Sequence, residues 1–148
     1  MATTDFTLTL TTEQTPQEVF QAVIDVRNWW SGYYSEEITG NTKKLNDEFS
    51  FRAGEVGHYS KHKLVELIPN KRVVWQITDS KLSFLKKKDE WTGTKMIFEI
   101  SGKDNRTQLT FTHEGLNPEI ECYDSCAPAW TLYIENKLLP LISADKVR

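Results

Sequence analysis

The chain has 148 residues and a formal net charge of −3 at pH 7, with 39% hydrophobic and 26% charged residues. These values are typical of a globular protein that can bury a core, and the length predicts a single domain over residues 1–148. Nucleic acid is not expected as a partner, because phosphate binding needs concentrated lysine and arginine.

The sequence also predicts a compartment. No apolar run approaches the ~20 residues that a bilayer span needs, and the first residues, MATTDFTLTL, lack the basic start and apolar core of a signal peptide. We therefore expect a cytoplasmic protein without a membrane span. A reducing compartment would keep Cys122 and Cys126 as thiols.

The first elements are predicted to be a strand and a short helix. Residues Phe6–Thr11 alternate apolar and hydroxyl side chains, which indicates a strand with one buried face. Thr15 and Pro16 are typical of a helix start, and apolar residues follow at helical spacing. The helical segment ends at Trp29 and Trp30, of which we expect one ring to pack inward and the other to stay partly exposed.

Six further strands are predicted between residues 35 and 113, separated by turns. Short strands joined by short turns indicate an antiparallel meander. The predicted strands are Ser35–Thr39, Glu48–Arg52, His58–Ile68, Lys71–Thr78, Thr94–Ser101 and Gln108–His113.

The longest predicted connection is Asp79–Gly93. It contains Leu82, Leu85 and Trp91, so it is either a lid or binding loop over a cavity, or packing on the outside of the sheet. The basic run Lys86–Lys88 within it is expected to be solvated.

A long C-terminal helix is predicted from an apolar stripe that recurs every three or four residues. Pro128 predicts a kink or restart, and Pro140 predicts fraying after Leu139, because proline removes a backbone donor. A seven-stranded sheet is too wide to stay flat and can curve around such a helix, leaving a cavity between them. The stripe consists of Tyr123, Ala127, Trp130, Ile134, Leu138 and Leu141.

Five segments also carry recognisable motifs: RNWWS from Arg27, VELIPNKRVVW from Val65, EWTGT from Glu90, THEGL from Thr112 and ECYDSCAPAW from Glu121. With the element order, they resemble the helix-grip fold of the START/Bet v 1-like (SRPBCC) superfamily. Within it they are similar to the branch of homologues of the activator of the heat-shock-protein-90 ATPase. The implied fold is α+β, with a curved antiparallel sheet wrapped around a long C-terminal helix and short N-terminal helices.

The resemblance implies a hydrophobic cavity under the C-terminal helix. Relatives bind lipids, polyketide-like aromatics or flavonoid-like molecules, a few catalyse cyclisation or dehydration, and one branch assists a chaperone. No catalytic residue set of a relative maps onto this sequence. Because one fold can host many activities, the resemblance leaves several functions open.

His113 is the polar residue that the sequence places most clearly. It shares strand parity with Leu109 and Phe111 and should point inward. There it either bonds within the core or anchors a guest, and it is a weak candidate for acid–base catalysis near neutral pH. A zinc site or a thiol nucleophile with Cys122 and Cys126 lacks ligands and an orienting group, so no metal and no cofactor are predicted.

The predicted function is therefore the binding of a small hydrophobic molecule, lipid-like or aromatic and polyketide-like. His62 and Tyr59 are weaker candidates for orienting the guest, and the protein is expected to be a monomer or a homodimer. The predicted ligand-binding residues are Trp30, Phe51, Trp75, Trp91, Phe98, Phe111, His113, Tyr123, Trp130 and Ile134.

Two alternatives stay open. A polyketide cyclase or aromatase-like enzyme would use His113, Tyr123 and Glu90 as acid–base groups. A chaperone ATPase-activating module would instead contact its partner through the surface near Trp29 and Lys86–Lys88.

Overall fold

A computed structural model gives the structure of the chain and describes residues 5–31, 35–54, 57–83, 85–121 and 123–144. Within these residues the fold consists of seven strands, an N-terminal α-helix followed by a 3-10 turn (Val26–Asn28), and a long C-terminal helical segment. The strands are β1 (Phe6–Thr12), β2 (Glu36–Gly40), β3 (Glu48–Ala53), β4 (His58–Ile68), β5 (Arg72–Leu82), β6 (Lys95–Lys103) and β7 (Arg106–Glu114), and the α-helices are α1 (Pro16–Ile24), α2 (Tyr123–Tyr133) and α3 (Leu139–Ala144).

The strands form one antiparallel sheet in the order β1-β7-β6-β5-β4-β3-β2. Burial alternates along them: in β7, Leu109, Phe111 and His113 are buried, and the side chains between them face outward. The curved antiparallel sheet with a long C-terminal helix confirms the predicted α+β helix-grip fold. No helix in the described part of the chain is long and apolar enough to span a membrane.

Helix α1 begins where the sequence predicts. Thr15 Oγ1 accepts a hydrogen bond from the Glu18 N–H at 3.2 Å, and the Glu18 carboxylate accepts one from the Thr15 N–H at 3.0 Å. This capping box satisfies two backbone donors that a helix end otherwise leaves free. The buried face of α1 includes Val19, Phe20 and Val23 and packs against β6 and α3.

Both tryptophans after α1 are buried, which corrects the expectation that one ring stays partly exposed. Trp29 is fully buried, and its indole N–H donates to the Val23 carbonyl at 3.1 Å. Its ring meets Phe98 edge-on at 5.7 Å. Trp30 is also buried, because it stacks on Phe51 with ring centroids 3.8 Å apart.

The connection before β6 is shorter than predicted. Strand β5 continues to Leu82, where it still pairs with His58 of β4, so the connection comprises residues 83–94. Ser80 and Leu82 are buried whereas Asp79 and Lys81 are exposed. The sequence does not show this alternation clearly, because the buried Ser80 is itself polar. The run Lys86–Lys88 is exposed, as predicted.

The C-terminal helix neither restarts at Pro128 nor frays after Leu139, two outcomes that the sequence had suggested. The helix continues through Pro128. The backbone hydrogen bond that Pro128 cannot donate would have ended at the carbonyl of Asp124, which lies in the first turn and is exposed, so its loss is tolerated. Instead of fraying after Leu139, the helix widens into a π-helical segment, Ile134–Leu138, and continues as α3. The Leu139 N–H donates to the Ile134 carbonyl, so the wide turn ends just before Pro140, which has no N–H.

Candidate ligand-binding site

A cavity of about 330 Å³, partly open to solvent, lies between α2 and the sheet. Strands β3 and β4, the turn after α1, the connection of residues 83–94 and one face of α2 contribute its walls. Most of the wall is apolar and aromatic, which is typical of a small-molecule site. The lining residues are Trp30, Phe51, Ala53, His58, Trp91, Ser125, Cys126, Ala129, Trp130 and Tyr133.

The aromatic walls hold one another in place. Trp30 contacts Trp130 with ring centroids 5.0 Å apart, and it also stacks on Phe51. Trp130 lies parallel to Trp91 at 5.9 Å, with 10° between the planes. The hydroxyl of Tyr133 donates to the Glu36 carboxylate of β2 at 2.6 Å, which ties α2 to the edge strand.

Four of the ten predicted ligand-binding residues line this cavity: Trp30, Phe51, Trp91 and Trp130. The other six lie elsewhere. Tyr123 is half-buried and packs against the core cluster, and the remaining five are fully buried. Those five are Trp75, Phe98, Phe111, His113 and Ile134.

His113 points inward, as its strand parity predicted, but both of its nitrogens are occupied. The Trp130 indole N–H donates to His113 Nδ1 at 3.0 Å, so the ring hydrogen belongs on Nε2. That nitrogen lies 2.8 Å from Thr94 Oγ1, and the Thr94 hydroxyl donates to the Trp91 carbonyl at 2.6 Å. His113 is thus a bonded core residue with no hydrogen-bonding capacity left for a guest.

Gly115 allows Thr94 to reach His113. Its φ is +101°, a left-handed value that glycine adopts without strain, and a Cβ at this position would lie 2.6 Å from Thr94 Cγ2. The glycine in the THEGL motif therefore serves both the chain reversal and the hydrogen bond that fixes the His113 ring.

A second set of polar groups lies on the inward face of β4. His58 Nε2 is 3.1 Å from Ser60 Oγ, and the same Ser60 oxygen is 2.8 Å from His62 Nε2. Ser60 and His62 are fully buried, whereas His58 lines the cavity. No described residue pairs with His62 Nδ1, which is buried.

Burial makes all three histidines poor bases. Desolvation lowers the pKa of His58 from 6.5 to about 3. Desolvation, and then the proximity of His58, lowers the pKa of His113 to about 3, and burial with the two neighbouring imidazoles lowers the pKa of His62 well below 6.5. The histidines are neutral at pH 7, so His113 does not titrate near neutrality as the catalytic alternative required.

The connection of residues 83–94 is attached to the segment before α2. The Glu121 carboxylate accepts from the Lys86 N–H at 3.0 and 3.2 Å and from the Lys87 N–H at 3.4 Å. In return, the Glu121 N–H donates to the Glu90 carboxylate at 3.0 Å. These bonds place Trp91 against the cavity and assign Glu90 to a structural contact.

Cys126 is disulfide-bonded, which corrects the expectation of a thiol and removes it as a nucleophile or thiolate ligand. Cys122 lies outside the described residues. Within the described ranges, no group of three or more His, Cys, Asp or Glu side chains is placed to hold a metal ion.

The sequence did not reveal six of the lining residues: Ala53, His58, Ser125, Cys126, Ala129 and Tyr133. The position of His58 follows from strand pairing. It lies directly opposite Ala53 of β3, and directly opposed residues share one face of a sheet, so the two line the cavity together. Tyr59, a predicted orienting residue, lies outside the cavity with the Arg52 guanidinium 5.0 Å above its ring.

Comparison with known proteins agrees with this fold. The family model described as "Activator of Hsp90 ATPase homolog 1-like protein" matches residues 13–141. No curated protein matches the sequence at a significant level.

Solved structures with the same fold are distant in sequence. The chain is 22% identical to the Aha1 dimer from Colwellia psychrerythraea, with a TM-score of 0.69, and the match covers 90% of this chain and 92% of that one. For Mll3558 from Rhizobium loti the values are 18% and 0.69, with 97% and 96% covered. For CalU16 from Micromonospora echinospora they are 13% and 0.63, with 96% and 78% covered. The family model spans nearly the whole chain, and the protein therefore belongs to the family of Activator of Hsp90 ATPase homolog 1-like proteins, within the START/Bet v 1-like superfamily.

Proposed function

We propose that this protein binds a small hydrophobic molecule, and that the guest is flat and aromatic. The observation that supports the proposal is the aromatic cavity of about 330 Å³ between α2 and the sheet. An apolar cavity of about 150 Å³ accepts benzene, so this one has room for a guest of roughly two fused rings. Burial of the apolar rings would supply most of the affinity.

Native mass spectrometry of freshly purified protein is the first test. A co-purifying molecule would identify the guest. If none is found, the protein is titrated with naphthalene, and binding is monitored by tryptophan fluorescence. Three of the five tryptophans line the cavity, so binding there is expected to change their emission.

A matched pair of variants locates the site. Ala129→Phe places a ring in the cavity and is expected to abolish naphthalene binding. Leu132→Phe adds the same ring size at an exposed position of the same helix and should leave binding unchanged. Equal affinity in both variants would show that naphthalene binds elsewhere, and no binding by the wild-type protein would contradict the proposal.

A second candidate rests on the family description: activation of a chaperone ATPase. Trp29 is fully buried and so cannot be part of a contact surface, but the exposed Lys86–Lys88 run is available. Stimulation of Hsp90 ATPase activity by the wild-type protein, and less by a variant with all three lysines changed to glutamate, would support it. An unchanged ATPase rate would remove this candidate.

A cyclase or aromatase activity gains no support from His113, since both of its nitrogens are bonded inside the core. Cytoplasmic location and a monomer or homodimer remain expectations, and the solved relative described as a dimer is a different protein.

A further inference from the structure

The hydrogen bonds along β4 form a short relay that ends at the cavity. Ser60 Oγ lies between His58 Nε2 and His62 Nε2, at 3.1 and 2.8 Å. A serine hydroxyl has one hydrogen, so it donates to one imidazole and accepts from the other. The state of one ring therefore fixes the state of the other.

Two neutral arrangements satisfy this geometry. In the first, Ser60 donates to His58, whose ring hydrogen then lies on Nδ1. In the second, His58 donates to Ser60 through Nε2, and its Nδ1 carries a lone pair. His58 Nδ1 has no partner among the described residues, so it is the ring nitrogen that can either donate to a guest or accept from it.

The inner end of the relay is closed. His62 is fully buried and stacks on Phe49 with ring centroids 4.6 Å apart, and its Nδ1 has no described partner. Since no described group bonds to His62 Nδ1, the described hydrogen bonds offer a proton no route beyond His62. The bonds of the relay can reverse their direction, but none of those described leads on from this end.

The described wall of the cavity carries no charge to pair with an ionised guest. Among the described residues that line it, none is Lys, Arg, Asp or Glu. Burial lowers the pKa of His58 to about 3, so the imidazole is neutral at pH 7. A carboxylate would lose its hydration here without gaining an ionic partner, which is strongly unfavourable. A hydroxyl group, which both donates and accepts, matches either state of the relay.

We propose that His58 recognises an uncharged hydroxyl group on the aromatic guest, with Ser60 and His62 setting the direction of that hydrogen bond. This inference rests on the proposed binding function. It assigns the site a preference for phenol-like molecules over both the unsubstituted hydrocarbon and the carboxylate of the same ring system.

Three related probes test the preference at pH 7: naphthalene, 2-naphthol and 2-naphthoate. By calorimetry, 2-naphthol is expected to bind the wild-type protein roughly tenfold more tightly than naphthalene, the effect of one additional neutral hydrogen bond. 2-Naphthoate is expected to bind more weakly than naphthalene. If naphthalene binds and 2-naphthol shows no advantage, the inference fails and the binding function stands. If none of the three binds, both fail.

A pair of variants on the same strand assigns the contact. His58→Phe keeps a ring, leaves Ser60 bonded to His62 and should remove the roughly tenfold preference for 2-naphthol over naphthalene. Tyr59→Phe removes a hydroxyl outside the cavity and should leave that preference unchanged. An equal loss for both ligands in His58→Phe would overturn the assignment, and the wild-type comparison stands even if the variant does not fold.

The role of Ser60 as a positioning residue is tested by imidazole ¹⁵N NMR. In the wild-type protein, 2-naphthol should shift the nitrogens of both His58 and His62, because Ser60 links them. In Ser60→Ala, only the His58 nitrogens should shift. A His62 signal that does not respond to 2-naphthol in the wild-type protein would contradict the relay.

Discussion

Two buried histidines pack against Trp91, and they show what separates a core residue from a binding residue. The ring centroids of His58 and His113 are 4.6 and 4.8 Å from that of Trp91, and both imidazoles lie nearly perpendicular to the indole. Burial lowers the pKa of both to about 3. They differ in their hydrogen bonds: His113 uses both nitrogens within the protein, whereas His58 uses one and faces the cavity.

Trp130 divides the two environments. Its indole N–H donates to His113, which closes that side, while its ring is part of the cavity wall. On the closed side, Phe111 packs against the same ring at 4.7 Å and no lining residue comes from β7. The Trp130 side chain thus belongs both to the core around His113 and to the wall of the cavity.

The largest expected effect is loss of stability in acid. The unfolded chain protonates its histidines below pH 6.5, whereas folded His58 and His113 bind a proton only near pH 3. The unfolded state therefore binds more protons in this window, and the free energy of unfolding falls as the pH falls from 6.5 towards 3. The expected slope is about 1.4 kcal/mol per pH unit for each such histidine, measured by urea unfolding.

Above pH 6.5 both states are neutral at these positions, so no dependence on these histidines is expected there. His113→Phe should reduce the slope between pH 4 and 6 by about 1.4 kcal/mol per pH unit. The same slope in the variant and the wild-type protein would show that His113 is not the buried neutral group described.

A smaller effect separates the two sides directly. At pH 7, His113→Phe leaves the buried Trp130 indole N–H without an acceptor and should cost about 1–3 kcal/mol of unfolding free energy. His58→Phe should cost less than about 1 kcal/mol, because Ser60 keeps its bond to His62. Chemical denaturation of both variants measures the difference, and equal losses would remove the distinction between a closed and an open side.

The smallest expected effect concerns the segment that carries Trp91. Glu121→Ala removes the acceptor for the Lys86 and Lys87 amides and, at this exposed site, should cost about 1 kcal/mol or less. Hydrogen exchange at those two amides should become up to about fivefold faster, while Glu119→Ala, at another exposed glutamate, leaves it unchanged. Unchanged exchange in Glu121→Ala would show that other contacts hold the connection.

The sequence predicted the closed side better than the open side, and the reason is physical. His113 follows Leu109 and Phe111 at the period of a strand, so its inward direction could be inferred from its neighbours. In β4, the inward residues include His58, Ser60 and His62, and the outward ones include Tyr59 and Lys61, so neither face is apolar. The inner face of β4 is identified only by its pairing with β3, whose inward residues are apolar.

The cavity was predicted beneath the C-terminal helix, where it lies, but six of its lining residues were not predicted. Its volume depends on which small residues oppose the aromatic rings, and Ala53 and Ala129 come from segments far apart in the chain. Pattern reasoning also assigned Trp75 and Phe98 to the cavity, because it cannot distinguish a ring that fills the core from one that borders a space. That distinction depends on packing, which is a property of the folded chain.

A crystal structure of the protein soaked with 2-bromonaphthalene tests the central claim most directly. Anomalous scattering locates the bromine without reference to the protein coordinates. We predict one strong peak between α2 and the sheet, in contact with Trp30, Trp91 or Trp130. Bromine found only on the outer surface of the sheet or between molecules would contradict a ligand cavity beneath the helix.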